Sequence, residues 1–283
     1  MTSDLSPGAF GTLRRGRFGD PYLYVAECRS TQELLRDTAL PEGAVAVAEH
    51  QTAGRGRLGR TWEDAAGSSL LCSVLLRPRG GMLPQLSLAT ALATAEAIEE
   101  LTRCEAGVKW PNDVLIGGRK VAGILLELAG DAVVAGIGVN VDQESGELPQ
   151  GARTPAGSLR TATGRSHDRG MLLAALLQRL EHGYAIWQEG GLATLLPSLE
   201  TRNALRGLPV RAGGVEGVAA AIAPGGGIEI VLPSGGTIVV ESGEVEVVRR
   251  VDVDEQRLVD AQDVGVDPSE RQLPAGDPGL EHG

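Results

Sequence analysis

Gly54-Arg55-Gly56-Arg57-Leu58-Gly59-Arg60-Thr61-Trp62 sets three glycines and three arginines within seven positions and closes on a tryptophan. Glycine lets the backbone bend and approach a ligand closely. Arginine offers a planar, permanently charged fork that suits carboxylate and phosphate oxygens. A flexible cationic loop in an acidic chain reads as an anion trap. Further along stands Lys109-Trp110-Pro111-Asn112-Asp113. Lysine occurs only at 109 and 120, the other 24 of the 26 basic residues being arginine, so Lys109 reads as a place where an ammonium does what a guanidinium cannot. Each segment alone has a plainer reading: a solvated turn, a strand-end lysine, an Asn-Asp turn. Their joint occurrence is what argues for a site.

Other chemistries are excluded by the letters themselves. Gly54-x-Gly56-x-x-Gly59 matches the dinucleotide fingerprint, but that motif needs a strand before it and a helix after it. Arg60 to Gly67, with Trp62, Glu63 and Asp64, carries no helical stripe, and the reading is rejected. No Gly-Lys pair exists for a P-loop, His50, His167, His182 and His282 form no H-E-x-x-H, and no G-x-S-x-G elbow occurs. Net charge is −11, which disfavours non-specific binding to nucleic acid or an anionic membrane. No apolar run is long enough to cross a bilayer, and the N-terminus has no secretory pattern. Cys28, Cys72 and Cys104 are odd in number and lack metal-ligand spacing, which predicts reduced thiols in a cytoplasmic protein.

The elements that must carry these segments follow from pattern. Residues 1–20 are rich in Gly and Arg and predict a flexible N-terminus. Tyr22 to Glu27 predicts a strand, and Ser30-Thr31 a helix cap before Gln32 to Ala39. Ala44 to Ala48 and Ser69 to Leu76 predict strands on either side of the Gly/Arg loop, 51–67. Leu83 to Leu101 has apolar residues at helical spacing. Gly107 to Trp110, Val114 to Ile116, Val121 to Leu128 and Ala132 to Val141 are strand-like, with Gly117-Gly118 a hairpin turn. Residues 142–168 read as a loop, Met171 to Trp187 as a helix, and Gly191 to Leu199 as another. From Leu205 to Val248 short strands alternate with Gly/Pro turns, the pattern of a small β-barrel. From Val251 onward nine acidic residues face two arginines, a disordered acidic tail.

The joint pattern resembles the biotin–protein ligase family. The matching stretches are Arg29-Ser30-Thr31, Gln51 through Trp62, Val108 through Asp113, Arg119 through Glu127 and Gly136-Ile137-Gly138-Val139-Asn140-Val141. The resemblance implies an α+β fold: a mixed-sheet catalytic domain over 21–203, then a small SH3-like barrel over 204–250, with the tail at 251–283. It implies the type without an N-terminal DNA-binding domain. The implied activity has two steps: biotin and ATP give biotinyl-5′-AMP, and a lysine of a biotin carboxyl carrier domain of an acyl-CoA or pyruvate carboxylase takes the biotin. Magnesium is implied with ATP. Lys109 and Arg57 are implied as catalytic. Ser30, Thr31, Gln32, Gln51, Arg55, Gly56, Arg57 and Lys109 are implied for biotin, and Arg55, Arg57, Arg60, Trp62, Lys109, Asn112 and Asn140 for ATP and the adenylate. The family has Ser-Thr-Asn before its first helix; here Gln32 follows Thr31. The nearest rival is a lipoate–protein ligase; a non-catalytic anion- or nucleic-acid-binding protein is the rival from another class.

Overall fold

A computed structural model describes residues 3–36, 39–80 and 83–248. The chain divides into Met1–Val247 and Val248–Gly283, and every described element belongs to the first unit. The acidic tail expected at 251–283 lies outside the described residues.

In chain order the elements are α1 (Pro7–Leu13), β1 (Tyr22–Cys28), α2 (Thr31–Leu34), β2 (Val45–Gln51), β3 (Ser69–Leu76), α3 (Leu83–Thr102), β4 (Gly107–Lys109), β5 (Asp113–Ile116), β6 (Arg119–Ala129), β7 (Ala132–Asn140), α4 (Leu159–Thr163), α5 (Arg169–Gly190), α6 (Leu196–Thr201), β8 (Pro209–Ala212), β9 (Val215–Ile222), β10 (Ile228–Val231), β11 (Thr237–Val240) and β12 (Val245–Val247). A seven-stranded mixed sheet runs β1-β2-β3-β7-β6-β5-β4. Only β1 and β2 pair in parallel.

Alternate strand residues point to opposite faces, and that period decides where a cavity can form. One face carries Cys72, Val74, Leu76, Ala135, Ile137 and Val139, buried in the main core with α3 and α5. The other carries Ser73 on β3, Gly123, Leu125 and Glu127 on β6, and Gly136, Gly138 and Asn140 on β7. Gly136-Ile137-Gly138 therefore sends its isoleucine into the core and leaves two bare positions on the opposite face. Beside them Leu35, Ala46, Leu75 and Val134 make a second, smaller core under α2.

Five strands make a second sheet, ordered β11-β10-β9-β8-β12 and antiparallel throughout. It stands where the small barrel is expected, but β11 and β12, its outer strands, do not pair. Trp110, 1% exposed, donates from Nε1 to Gly226 O at 2.8 Å and ties the two sheets together.

Three local expectations are corrected. The N-terminus is packed rather than flexible. Ser6 caps α1 with Pro7 in its first turn, Phe10 stacks on Tyr22 at 4.4 Å, and Leu5, Phe10 and Phe18 are buried. Asp4 is held by Arg169, which is only 8% exposed and also pairs with Glu49 at 2.7 Å. The helix after Ser30 is one turn, because Thr31 and Gln32 turn their polar groups to the sheet. Residues 142–168 are not all loop: they include α4, which the Ser158–Thr161 capping box starts.

Candidate active site

The Gly/Arg segment folds back on itself beyond β2. Gly56 N–H donates to Arg60 O at 2.7 Å and Trp62 N–H to Gly54 O at 3.0 Å. A Cβ on Gly54 would lie 2.5 Å from Trp62 O, so this closure requires glycine there. Leu58 turns the tip of the loop at φ 56°. The return brings the Trp62 indole against the bare positions of the sheet: a Cβ on Gly138 would lie 2.5 Å from the ring and one on Gly123 3.0 Å. Lys120 Nζ sits 5.7 Å from the ring centroid, a cation–π distance.

Loop and sheet enclose a cavity of about 480 Å³. All twelve residues expected at the site line it: Ser30, Thr31, Gln32, Gln51, Arg55, Gly56, Arg57, Arg60, Trp62, Lys109, Asn112 and Asn140. In one part of the wall polar groups hold one another. Thr31 N–H donates to Gln51 Oε1 at 2.7 Å, the Thr31 hydroxyl donates to the same oxygen at 3.2 Å, and the Thr31 and Ser73 hydroxyls lie 2.7 Å apart. Gln32 Nε2 donates to Leu125 O at 3.0 Å. Ser30 is buried, and its hydroxyl makes no capping bond to α2.

Elsewhere the wall is cationic. Arg55 pairs with Glu127 at 2.8 Å and Glu33 at 3.6 Å, while its Nε is buried without a partner. Arg60 is ion-paired with Glu244, in the turn between β11 and β12. Arg57 donates only to Gly243 O at 3.4 Å and has no ion pair among the described residues. Lys109 Nζ donates to Thr154 Oγ1 at 2.7 Å. Burial pulls the Lys109 ammonium below the ordinary lysine range; Asp113 and Glu244 resist the pull, and Lys120 and Arg60 add to it. Burial likewise lowers Arg57 against the opposing charges of Asp113 and Glu244. The two cations therefore answer to the same pair of carboxylates across one cavity.

Asn112 and Asn140 line the cavity with their amide hydrogens already placed. Asn112 Nδ2 donates to Ile124 O at 2.7 Å, and Asn140 Nδ2 to Gly157 O at 2.9 Å. Asp113 pairs with Lys120 at 2.7 Å. Sequence reasoning assigned no role to Lys120, Gly123, Gly138, Thr154 or Glu244, all of which line the cavity. Lys120 carried the same signal as Lys109, being the only other lysine. Thr154 carried none. It arrives because Lys120 N–H donates to Pro155 O and Gly157 N–H to Lys120 O, laying 155–157 along the start of β6.

The model of the biotin/lipoate A/B protein ligase family matches residues 24–144, a span that contains all twelve expected residues. A biotin protein ligase from Aquifex aeolicus, solved in complex with biotin and ATP, is 34% identical at a TM-score of 0.74, over 80% of this chain and 98% of that one. The chain belongs to the biotin/lipoate protein ligase family. Family members with curated names include the biotin–[acetyl-CoA-carboxylase] ligase of Paracoccus denitrificans, 41% identical over 53% of this chain and 64% of that protein. The bifunctional ligase/repressor BirA of Bacillus subtilis is 35% identical over 65% of this chain. The match spans 59% of that relative's length. The cavity lies on the sheet face that the glycines of β6 and β7 leave open.

Proposed function

We propose that this chain is an ATP-dependent biotin–protein ligase. A carboxylate oxygen of biotin attacks the α-phosphorus of ATP, pyrophosphate leaves, and biotinyl-5′-adenylate forms. The amine of a carrier-domain lysine then attacks the acyl carbon, gives up a proton, and AMP leaves. The observation that carries this reading is the meeting of Arg57 and Arg60 from one segment with Lys109 from another around a single cavity. The first step brings two anions together, and fixed cations remove their repulsion without reorganisation during the reaction. Arg57, with no carboxylate of its own, is the group freest to take a phosphate or the acid. Lys109 is a compact donor that can follow the carboxylate as it becomes an acyl carbonyl. The nucleophile of the second step comes from the partner, so no catalytic serine or cysteine is needed. Cys72 suits that: it lies on the core face of β3, and burial pushes its thiol up to about 12, far from a thiolate.

In this reading Ser30, Thr31, Gln32 and Gln51 receive the ring of biotin, Arg55 and Gly56 close over its chain, and Trp62 serves the adenylate. Asn112 and Asn140 act by fixing the backbone beside the nucleotide. Magnesium would arrive with the triphosphate, since that ion is commonly held by phosphates and one or two protein oxygens. Among the described residues no three acidic, histidine or cysteine side chains converge as a metal site of their own. Residues 21–203 form the catalytic domain and 204–250 a second domain, the carrier is a carboxylase domain, and the setting is cytoplasmic. No helix among the described residues is long and apolar enough to cross a membrane. A DNA-binding role is disfavoured because Arg55 and Arg60 are neutralised by Glu127 and Glu244 rather than displayed. The test is pyrophosphate release with ATP and biotin together, against each omitted. Release that needs both supports the reading; release with lipoate and none with biotin refutes it.

A further inference from the structure

The two limbs of the Gly/Arg segment are tied to each other at four levels. Gly56 N–H donates to Arg60 O, Trp62 N–H to Gly54 O and, at the foot, Gly67 N–H to Glu49 O at 3.0 Å. These three are main-chain bonds. The fourth belongs to side chains alone: His50 Nδ1 lies 2.9 Å from Asp64 Oδ2, joining the end of β2 to the returning limb two residues beyond Trp62. Among the described residues it is the only side-chain hydrogen bond from residues 63–66 to the sheet. Neither His50 nor Asp64 lines the cavity, so the pair holds the limb from outside the site. Trp62 needs such an anchor. Its ring rests on the sheet by packing and by Lys120, and its Nε1 is buried without a hydrogen bond.

Stability alone does not account for the pair. The Asp64 side chain is 1% exposed and its Oδ1 is buried without a partner. A buried carboxylate with one oxygen unpaired costs free energy that a small apolar residue in its place would not. Its surroundings are acidic as well. Glu27 stands opposite His50 in the β1–β2 register, and burial, then Glu33, Asp64 and Glu27, push the Cys28 thiol up to about 11. The half-exposed imidazole is the one side chain that satisfies this carboxylate among the described residues. We propose that His50 and Asp64 are positioning residues whose clasp holds the returning limb, and Trp62 with it, against the sheet, and so sets how long the activated acid is kept before the carrier arrives. The inference rests on the ligase reading above. It concerns two residues to which the chemistry of that reading assigns nothing.

The experiment follows pyrophosphate from the full chain with biotin, ATP and magnesium and no carrier. A protein that keeps its adenylate releases about one pyrophosphate per site in a burst, then turns over at the rate at which the adenylate is lost. Asp64→Ala and His50→Ala are each expected to raise that slow phase by at least about tenfold, with the burst rate within about threefold of wild type. Asp64→Asn, which keeps an acceptor for the imidazole N–H, is expected to stay within about threefold of wild type. The double alanine variant should be no faster than either single one, since both remove the same tie. Misfolding shrinks the burst and cannot produce this gain in rate. Asp64→Ala leaves behind only a half-exposed imidazole, so it keeps the test sharp should His50→Ala, which leaves a buried carboxylate unpaired, fail to fold. A slow phase unchanged in Asp64→Ala with its burst intact, or raised equally in Asp64→Asn, overturns the clasp and leaves the ligase reading standing. No burst from the wild-type protein with biotin and ATP overturns the ligase reading and this inference with it.

Discussion

Replacing Lys109 by methionine removes one charge and little volume, and the structure says what should follow. The ammonium donates to Thr154 and lies near two other cations, Lys120 and Arg60, and two carboxylates, Asp113 and Glu244. Asp113 keeps Lys120 as a partner at 2.7 Å and Glu244 keeps Arg60, so no carboxylate is orphaned by the change. The melting temperature should therefore move by less than about 4 °C, the equivalent of roughly 1 kcal/mol in a chain of this size. Catalysis should not be spared. A preorganised donor to charge that develops during reaction is worth about 3–4 kcal/mol, so kcat for adenylate formation should fall by about 10²–10³. Lys109→Arg should not restore it, because a planar fork cannot occupy the place of a compact ammonium.

A second readout of the same variant is the alkaline limb of kcat/KM. Burial sets the Lys109 pKa below its usual 10.5, so in the free protein the charged form is lost earlier on raising pH than for an exposed lysine. The wild-type limb should lie below that value, and in Lys109→Met it should vanish. The assay is pyrophosphate release under single-turnover conditions with biotin and ATP. A variant that folds and turns over within about threefold of wild type would remove Lys109 from the chemistry.

Arg57→Ala should lower adenylate formation at least about tenfold, measured in the same assay, since its guanidinium lines the cavity and makes no ion pair among the described residues. Arg169→Met should destabilise the fold by about 3–5 kcal/mol in urea unfolding, because it leaves Asp4 and Glu49 without their buried partner. Those carboxylates also set an acid limit. Burial works to raise Asp4 and Glu49, but Arg169 (aided at Glu49 by Ser3 and Tyr24) outweighs it, and both lie below their ordinary values. Their contribution is therefore full above the unfolded pKa values and lost as pH falls through the folded ones, so the wild type should lose stability there and Arg169→Met should lose less. Proteolysis within 51–67 should slow when biotin and ATP are both added, as the loop closes over the intermediate; unchanged nicking would count against that closure.

Much of the site was legible because the signal was chemical and local. The Gly/Arg segment and Lys109 were conspicuous against an acidic, lysine-poor chain, and the strands that carry them were apolar runs between clear turns. Their meeting in one cavity was implied by the resemblance, not by any pattern in the residues. The glycines of β6 and β7 show why. Gly123 and Gly138 matter because they face each other in register under Trp62, and register is a property of two strands. Thr154 and Glu244 reach the cavity through long-range pairing that leaves no period in the sequence. The N-terminus misled in another way. Its glycines suggest a loose segment, yet Phe10 and Leu5 find buried seats and Asp4 finds Arg169, contacts visible only in three dimensions. Helix α2 is shorter than its sequence suggests because Thr31 and Gln32 satisfy tertiary partners rather than a helical face.

The most direct test of the central claim is transfer itself. A biotin carboxyl carrier domain incubated with the protein, biotin, ATP and magnesium should gain the mass of one biotinyl group on a single lysine, at a rate that collapses in Arg57→Ala and Lys109→Met. A carrier that stays unmodified with wild-type protein, or is modified equally well by both variants, would contradict the account.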